Sequence, residues 1–291
     1  MKTENSFARR AVDDIRNAMT IDVEDYFQVS AFANQITRES WPTRECRVEA
    51  NIDKILQLLA NANVHATFFT LGWIAERYPA MVRRIVAGGH ELASHGFGHL
   101  RATDQTREQF QLDITSSKSL LEDIGGQAVI GYRAPSFSIG AGNLWALDVL
   151  FEAGYRYSSS IYPIAHDHYG MPEAPRFAFY PNGLDGLLEI PVSTVQLMHK
   201  NLPAGGGGYF RFFPYAVSKW LIHHVNATDR QPAIFYFHPW ELDPEQPRQQ
   251  GVGLKTQFRH YVNLSRTEAR LNDLIVDFKW GRMDEIFLTR S

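Results

Sequence analysis

Residues 234–241 read IFYFHPWE, and this stretch combines two kinds of signal. The residues IFYF suit a buried β-strand, because aromatic and β-branched side chains fit a pleated, buried surface. They run directly into His238, a proline, Trp240 and a glutamate. A strand that delivers an imidazole at its carboxyl end is typical of a site in a parallel α/β barrel. Assignment of His238 to such a site therefore depends on whether other strands of the chain also end in polar residues.

Seven short apolar runs are predicted to form buried strands, and segments of helical periodicity separate most of them. The predicted strands are residues 19–23, 66–71, 90–94, 128–132, 155–159, 187–192 and 233–237. The predicted helices are residues 51–62, 73–87, 106–126, 142–153 and 214–227. Alternation of strand and helix favours parallel pairing with helical crossovers. The sequence therefore predicts an α/β fold, an irregular parallel (β/α) barrel of about seven strands.

Length and composition favour one enzyme-sized domain. The 291 residues, 44% of them hydrophobic, suit one barrel over residues 19–291 with a loose tail at 1–18. A C-terminal extension at about 250–291 is expected to pack its helical part on the barrel exterior. The net charge of −3 gives no support to a nucleic-acid partner. The single cysteine, Cys46, excludes an internal disulfide and fits a reducing compartment.

The sequence contains no membrane-span signal. No stretch approaches the roughly 18–20 consecutive apolar residues that a spanning helix needs. The N-terminal residues also lack the apolar run of a secretory signal, so a cytoplasmic location is expected.

Four of the seven predicted strands end in polar residues. Taken singly, such residues are often turn formers, structural ion-pair partners or buried core histidines. Because they follow equivalent ends of a repeating strand–helix unit, we interpret them as parts of one site. The residues are Asp22, Glu24 and Asp25 after the first strand, His95 and His99 after the third, Arg133 after the fourth and His238 after the seventh.

His95 and His99 have the spacing to bind one divalent ion, and two imidazoles with one carboxylate suit zinc. Strand alternation places Asp22 and Glu24 on one side, which favours Glu24 as third ligand; a turn after Asp22 would bring Asp25 to the ion instead. A bound metal lowers the pKa of its water and polarises a carbonyl. A nearby carboxylate could then take the proton of that water, and an imidazole on the opposite side could protonate a leaving amine. This set describes metal-assisted hydrolysis of an amide or ester.

Four motifs in order resemble those of the polysaccharide deacetylases of carbohydrate esterase family four. They are TIDVED (20–25), SHGFGH (94–99), RAPSF (133–137) and FYFH (235–238), and the resemblance covers about residues 19–240. Further stretches resemble a subgroup of deacetylases that accompany exosortase-linked exopolysaccharide loci. These are DVEDYFQV (22–29), GGGYFR (206–211), HPWELDPEQPR (238–248) and FRHYVNL (258–264).

The resemblance implies a zinc-type metal and removal of acetyl groups from N-acetylated amino sugars of an oligo- or polysaccharide. By its motifs, Asp22 matches the catalytic base, Arg133 the residue that orients it, and His238 the acid. His95 and His99 match the metal ligands. The chain departs from the family at Ser158, where relatives have an aspartate that sets the state of the acid histidine. Asp167 or Glu241 would have to take that role, or activity would be lower.

Aromatic side chains in the strand-end loops suggest a sugar groove, because aromatic faces stack on pyranose rings. The candidates for substrate contact are Tyr209, Phe137 and Trp240, with loop packing as the alternative for each. Two other functions remain open: hydrolysis of a small cyclic amide or ureide by the same type of barrel, and sugar binding without catalysis.

Overall fold

The structure, a computed structural model, describes residues 14–166, 169–181 and 185–288. Within these residues eight strands form one curled sheet, and two more form a separate hairpin. The strands are β1 (Asn17–Val23), β2 (Thr67–Thr70), β3 (Glu91–Ser94), β4 (Gly131–Tyr132), β5 (Tyr157–Ser158), β6 (Leu188–Glu189), β7 (Thr194–Leu197), β8 (Lys200–Pro203), β9 (Ile234–Phe237) and β10 (Trp280–Gly281).

The predicted irregular barrel is confirmed. All seven predicted strands are present, and β1 to β6 pair in parallel in chain order. The seventh predicted strand, β9, pairs in parallel with β1. No ladder joins β6 to β9 in the part of the chain described. There the backbone N–H of Tyr236 donates to the carbonyl of Gly205 at 2.7 Å, and that of Ile234 to Ser193 Oγ at 2.7 Å. The sheet is therefore a barrel left open along one side.

Ten α-helices surround or close this sheet in the described residues. They are α1 (Val48–Asn61), α2 (Gly72–Arg77), α3 (Pro79–Ala87), α4 (Arg107–Gly125), α5 (Trp145–Glu152), α6 (Gly207–Phe212), α7 (Tyr215–His224), α8 (Leu254–Tyr261), α9 (Leu264–Asp277) and α10 (Met283–Phe287). The helix predicted at 73–87 is two helices, since Pro79 has no N–H to continue α2 and instead begins α3. None of the described helices is both long and apolar enough to cross a membrane.

The chain termini differ from the prediction. Strand β1 begins at Asn17, so Asn17 and Ala18 are buried sheet residues and not part of a loose tail; residues 1–13 lie outside the described residues. Helix α9 packs on the outside of the sheet as expected. The rest of the extension does not: β10 pairs with β1, and Met283, Ile286 and Phe287 of α10 fill the barrel interior.

The β7–β8 hairpin and β10 were not predicted. The hairpin turn uses Met198 and His199 with φ of 47° and 63°, where glycine or asparagine would have signalled the turn. Strand β10 is two residues long, too short to show a periodic pattern.

A buried carboxyl group ties the amino-terminal end of the barrel together. Glu91 accepts hydrogen bonds from Thr67 Oγ1 at 2.6 Å, from the Tyr157 hydroxyl at 2.9 Å and from the backbone N–H of Asp284 at 3.2 Å. Burial, helped by the Asp284 charge, raises the pKa of the Glu91 carboxyl, and the hydrogen bonds only partly offset this. The folded protein therefore holds this proton to a higher pH than the unfolded chain does.

Because of that retained proton, the free energy of unfolding should fall as pH rises from the unfolded pKa through the raised folded pKa. Replacing Glu91 with glutamine removes the titrating group. We expect the loss of stability between about pH 5 and about pH 8 to be smaller in Glu91→Gln by at least about 1 kcal/mol. Urea unfolding of both proteins at the two pH values measures this difference. An equal decline in both would show that Glu91 is ionised in the folded state.

Candidate active site

Two carboxylates leave the end of β1 toward the barrel mouth. Asp22 is the penultimate residue of the strand and Glu24 follows it, and both are buried, with exposures of 2% and 3%. Their spacing of two residues puts them on the same side of an extended chain. His95 and His99 lie in the loop that follows the carboxyl end of β3. The structure thus brings the predicted acidic and imidazole groups to one rim.

Glu24, His95 and His99 form a cluster that could hold a metal ion. One ligand atom from each lies within 4.8 Å of the others, and all three residues are buried. His99 Nε2 lies 2.7 Å from Glu24 Oε2, an oxygen that has no hydrogen-bond partner among the described residues. The His95 Nδ1–H donates to the carbonyl of Arg133 at 2.8 Å, which leaves Nε2 with a free lone pair. Two imidazole nitrogens and an orphaned carboxylate oxygen fit a divalent cation.

The electrostatics of the cluster agree with that fit. Burial raises the pKa of Glu24, but the His99 and His238 imidazoles outweigh burial and hold it at about 2. Burial lowers the pKa of His95 to about 4, so its ring is neutral near pH 7. An ionised carboxylate and a neutral imidazole are the forms that bind metal.

The histidine loop is held by two side chains from elsewhere in the chain. Residues 95–99 are not helical, as the two glycines of the motif predicted. Asp113 on α4 accepts the N–H groups of residues 97 and 98, at 3.0 and 3.4 Å. Arg38 donates to the carbonyls of Gly98 and His99, at 2.7 and 2.9 Å. His99 itself has a φ of 52°, so these contacts fix a backbone conformation that histidine seldom adopts.

Arg133 lies in the barrel interior below the rim and is fully buried. Its Nη1 donates to Asp22 Oδ1 at 2.6 Å and to Thr20 Oγ1 at 2.8 Å. Its other nitrogens donate to the carbonyl and hydroxyl of Ser159, at 3.2 and 3.1 Å. The guanidinium stacks over Phe69 at 4.0 Å. These contacts orient Asp22 with Oδ2 left for other partners.

His238 enters the rim from β9. Its Nε2 lies 3.5 Å from Glu24 Oε1 and 4.0 Å from Asp22 Oδ2. Its Nδ1–H donates to Glu241 Oε1 at 2.7 Å. Burial lowers the pKa of His238, but the Glu24, Glu241 and Asp22 carboxylates outweigh burial and raise it to about 9. His238 is thus a proton-carrying group at neutral pH that faces the two carboxylates at the end of β1.

Glu241 occupies the partner position that Ser158 cannot fill. Ser158 points to Ser160, with 2.8 Å between their hydroxyl oxygens. The other predicted substitute, Asp167, lies outside the described residues. Glu241 is therefore the described carboxylate that meets His238 Nδ1.

Asp25, the alternative third ligand, does not lie in the cluster of Glu24, His95 and His99. Its Oδ1 accepts the N–H of Tyr26 at 2.8 Å, and its Oδ2 accepts those of Arg47 and Val48 at 2.6 and 2.9 Å. The N–H groups of Arg47 and Val48 lie at the start of α1, where unsatisfied N–H groups attract a carboxylate. Burial, partly offset by those hydrogen bonds, raises the pKa of Asp25 to about 6. Asp25 therefore joins the strand-end loop to α1.

The three aromatic candidates differ in exposure. Trp240 is 4% exposed, its ring stacks with His238 and His260, and its Nε1–H donates to Glu24 Oε1 at 3.3 Å. Phe137 is 6% exposed and packs against Tyr236. Both rings are therefore largely covered by neighbouring side chains in this structure. Tyr209 on α6 is half-buried and keeps exposed surface.

Three further residues at the site, Arg211, Thr20 and Ser159, were not predicted. Arg211 Nε donates to Glu241 Oε2 at 2.6 Å, and both side chains are buried. The signal available was an arginine flanked by phenylalanines in GGGYFRFF, since a charge among apolar residues requires a buried partner. Thr20 and Ser159 carried no distinguishing pattern.

Two family models match consecutive parts of the chain. The model described as "Polysaccharide deacetylase" matches residues 39–158, and "Domain of unknown function (DUF3473)" matches residues 159–288. The first match includes His95, His99 and Arg133, and the second includes His238. The carboxylates at the end of β1 precede both matches.

Several curated relatives are named as deacetylases. The peptidoglycan deacetylase of Helicobacter pylori is 29% identical over 113 residues, which are 39% of this chain and 38% of the relative. The chitooligosaccharide deacetylase of Azorhizobium caulinodans is 31% identical over 103 residues, 35% of this chain and 48% of the relative. The peptidoglycan-N-acetylglucosamine deacetylase of Bacillus cereus is 33% identical over 99 residues, 34% and 36% of the two chains. This chain thus spans less than half the length of each of these three relatives.

Solved structures share the fold over most of the chain. A probable polysaccharide deacetylase from Pseudomonas aeruginosa has a TM-score of 0.60 at 16% identity, covering 94% of this chain and 90% of that one. Puue allantoinase has a TM-score of 0.59 at 15% identity, covering 95% and 90%. At these identities the similarity concerns the barrel alone. Similarity to the polysaccharide deacetylases therefore rests on the model match over residues 39–158 and on relatives that each match about a third of this chain.

Proposed function

We propose that this chain is a metal-dependent hydrolase that removes N-acetyl groups from amino sugars of an exopolysaccharide or its precursor. The observation that carries the proposal is one rim that holds a candidate metal cluster, an arginine-bound carboxylate and an imidazole hydrogen-bonded to a second carboxylate. Glu24, His95 and His99 form the cluster, and Asp22 and His238 lie beside it. Both matched parts of the chain build this rim and its sheet, which supports a single functional domain.

Glu24, His95 and His99 would hold the metal, which we propose to be zinc. Asp22 is paired with Arg133 and Glu241 with Arg211, whereas Glu24 faces imidazoles. Glu24 is thus the rim carboxylate without a guanidinium partner, where added positive charge is most favourable. When bound, a divalent ion would polarise the acetyl carbonyl and lower the pKa of water.

Asp22 is proposed as the general base. Its Oδ1 is held by Arg133, and its Oδ2 faces the rim, 4.0 Å from His238 Nε2. A carboxylate fixed in this way takes the proton of the attacking water without first having to be oriented. Thr20 and Ser159 are proposed to support this role through the other hydrogen bonds of Arg133.

His238 is proposed as the general acid. As the C–N bond of the acetamide breaks, its electron pair goes to the amine nitrogen, which takes the proton from His238 Nε2. The products are acetate and a free amino sugar. Amines leave poorly without a proton, so the acid matters most for amide substrates.

The substrate class rests on sequence resemblance and on the relatives. The matched relatives act, by their names, on peptidoglycan and chitooligosaccharides, and the exopolysaccharide assignment rests on the subgroup motifs. Tyr209 is proposed as a sugar contact because it alone of the three predicted aromatic contacts keeps exposed surface. The cyclic-ureide alternative has support only from the shared barrel of an allantoinase.

Acetate release from a panel of N-acetylated oligosaccharides, with a cyclic ureide in parallel, tests the function. We expect acetate from at least one oligosaccharide and no ureide opening. Ureide hydrolysis without acetate release would replace the proposal. Sugar binding without turnover by zinc-loaded protein would make the chain a binding protein.

The ligand set predicts which carboxylate retains the metal. Glu24→Gln, and His95→Ala with His99→Ala, should lose zinc on dialysis, because each change removes an inner ligand. Asp25→Asn is the matched control: it should keep about one zinc per chain and cost about 1–2 kcal/mol of stability, as helix-start acceptors do. Mass-spectrometric metal analysis measures retention. Zinc kept by Glu24→Gln but lost by Asp25→Asn would reassign the third ligand.

Substrates with different leaving groups distinguish the role of the base, Asp22, from that of the acid, His238. Asp22→Asn should keep zinc and lower turnover about 10²–10⁴-fold on amide and ester alike, since both need the water activated. His238→Ala should lower the rate strongly for an N-acetyl amide and much less for an activated aryl acetate, whose phenolate leaves without a proton. Initial rates on both substrates decide. Equal losses on the two substrates would remove His238 from the acid role.

A further inference from the structure

The part of the chain that matches a domain of unknown function surrounds the imidazole of His238. Residues 159–288 supply the histidine itself and the side chains packed behind it. Those side chains are Glu241, Arg211, Trp240 and His260. All four are at most 4% exposed.

Glu241 holds His238 at two points. Its Oε1 accepts the ring Nδ1–H at 2.7 Å and the backbone N–H of the same residue at 3.1 Å. His238 caps the start of the 3-10 turn Pro239–Leu242 that follows β9, and Glu241 lies within that turn, three residues after His238. One carboxylate oxygen therefore fixes both the backbone and the ring of His238.

Arg211 fixes the other oxygen of Glu241. Its Nε donates to Oε2 at 2.6 Å, while Nη1 donates to the carbonyls of His260 and Val262, at 2.6 and 3.2 Å. The pair ties α6 to the junction between α8 and α9. A buried ion pair of this kind gives little net stability over apolar residues of equal size, because desolvation offsets the attraction. We attribute the buried position of the Arg211–Glu241 pair to the hydrogen bond that Glu241 makes with His238.

The aromatic neighbours restrict the ring further. The Trp240 indole stacks on His238 at 5.1 Å and 19° and on His260 at 4.3 Å and 15°. His260 is itself oriented by its Nε2–H, which donates to Gln246 Oε1 at 2.6 Å. With Nδ1 bound and the ring stacked, Nε2 points at the opening between Asp22 and Glu24.

We propose that Glu241 and Arg211 are positioning residues for the proton donor, and that orienting His238 is the task of the DUF3473-matched part of this chain. The proposal rests on the deacetylase function above. Glu241 keeps a proton on Nδ1, and Arg211 holds Glu241, so Nε2 is aimed at the amine nitrogen as the C–N bond breaks. The carboxylate comes from the turn after β9, and Ser158 leaves no carboxylate on β5.

Two variants and one matched control test the kinetic consequence. Glu241→Gln keeps size but removes the charge that His238 and Arg211 share, and Arg211→Met removes the clamp. Each should lower the rate on an N-acetyl amide about 10²-fold and on an activated aryl acetate less than about threefold. Arg176→Met is the control, because Arg176 also pairs with a part-buried carboxylate, Asp229, at 2.7 Å, away from the rim. It should affect both substrates equally.

The outcomes separate the two proposals. A substrate-dependent loss in Glu241→Gln that is absent in Arg176→Met supports the positioning role. Equal losses on amide and ester in Glu241→Gln, or the same amide-specific loss in the control, overturn it. If Arg211→Met fails to fold, Glu241→Gln still decides. Lack of acetate release by the wild type would count against the deacetylase function alone.

An NMR measurement decides the positioning role without catalysis. In metal-free protein, the Nδ1 proton of His238, assigned by its loss in His238→Ala, should appear as a downfield imidazole N–H signal because it is bound to a carboxylate. The signal should shift upfield or exchange away in Glu241→Gln and persist in Arg176→Met. A signal unchanged by Glu241→Gln would contradict the proposed contact.

Discussion

The buried ion pair between Arg133 and Asp22 is the interaction on which the rest of the site depends. The guanidinium is fully buried inside the barrel, and loss of either partner would leave a buried, uncompensated charge. The side chain of Arg133 joins β1, through Thr20 and Asp22, to Ser159 directly after β5, and its backbone carbonyl orients His95. One residue thus fixes a carboxylate and a candidate metal ligand together.

The two ends of the barrel hold their buried carboxyl groups in different protonation states. Helix α10 and Glu91 close the amino-terminal end, where the carboxyl group is held in its neutral form. At the carboxyl end, Glu24 and Glu241 are held ionised by imidazole and guanidinium neighbours. These buried carboxyl groups therefore differ in charge because their neighbours differ.

Much of this arrangement could be predicted, because it follows from local pattern. Strand periodicity gave the seven parallel strands, and two-residue alternation favoured Glu24 over Asp25. The features that could not be predicted depend on contacts between residues far apart in the sequence. Asp25 accepts hydrogen bonds from N–H groups at the start of α1, and the Trp240 ring is covered by His260. The Arg211–Glu241 pair joins residues 30 positions apart, which no periodicity reveals.

The central claim is that one metal lies between Glu24, His95 and His99, beside Asp22 and His238. Diffraction data collected on both sides of the zinc absorption edge, from crystals grown with zinc, test it most directly. The account predicts one strong anomalous peak within bonding distance of Glu24 Oε2, His95 Nε2 and His99. A peak bound by Asp25 or at another place in the barrel, with that cluster left empty, would contradict it.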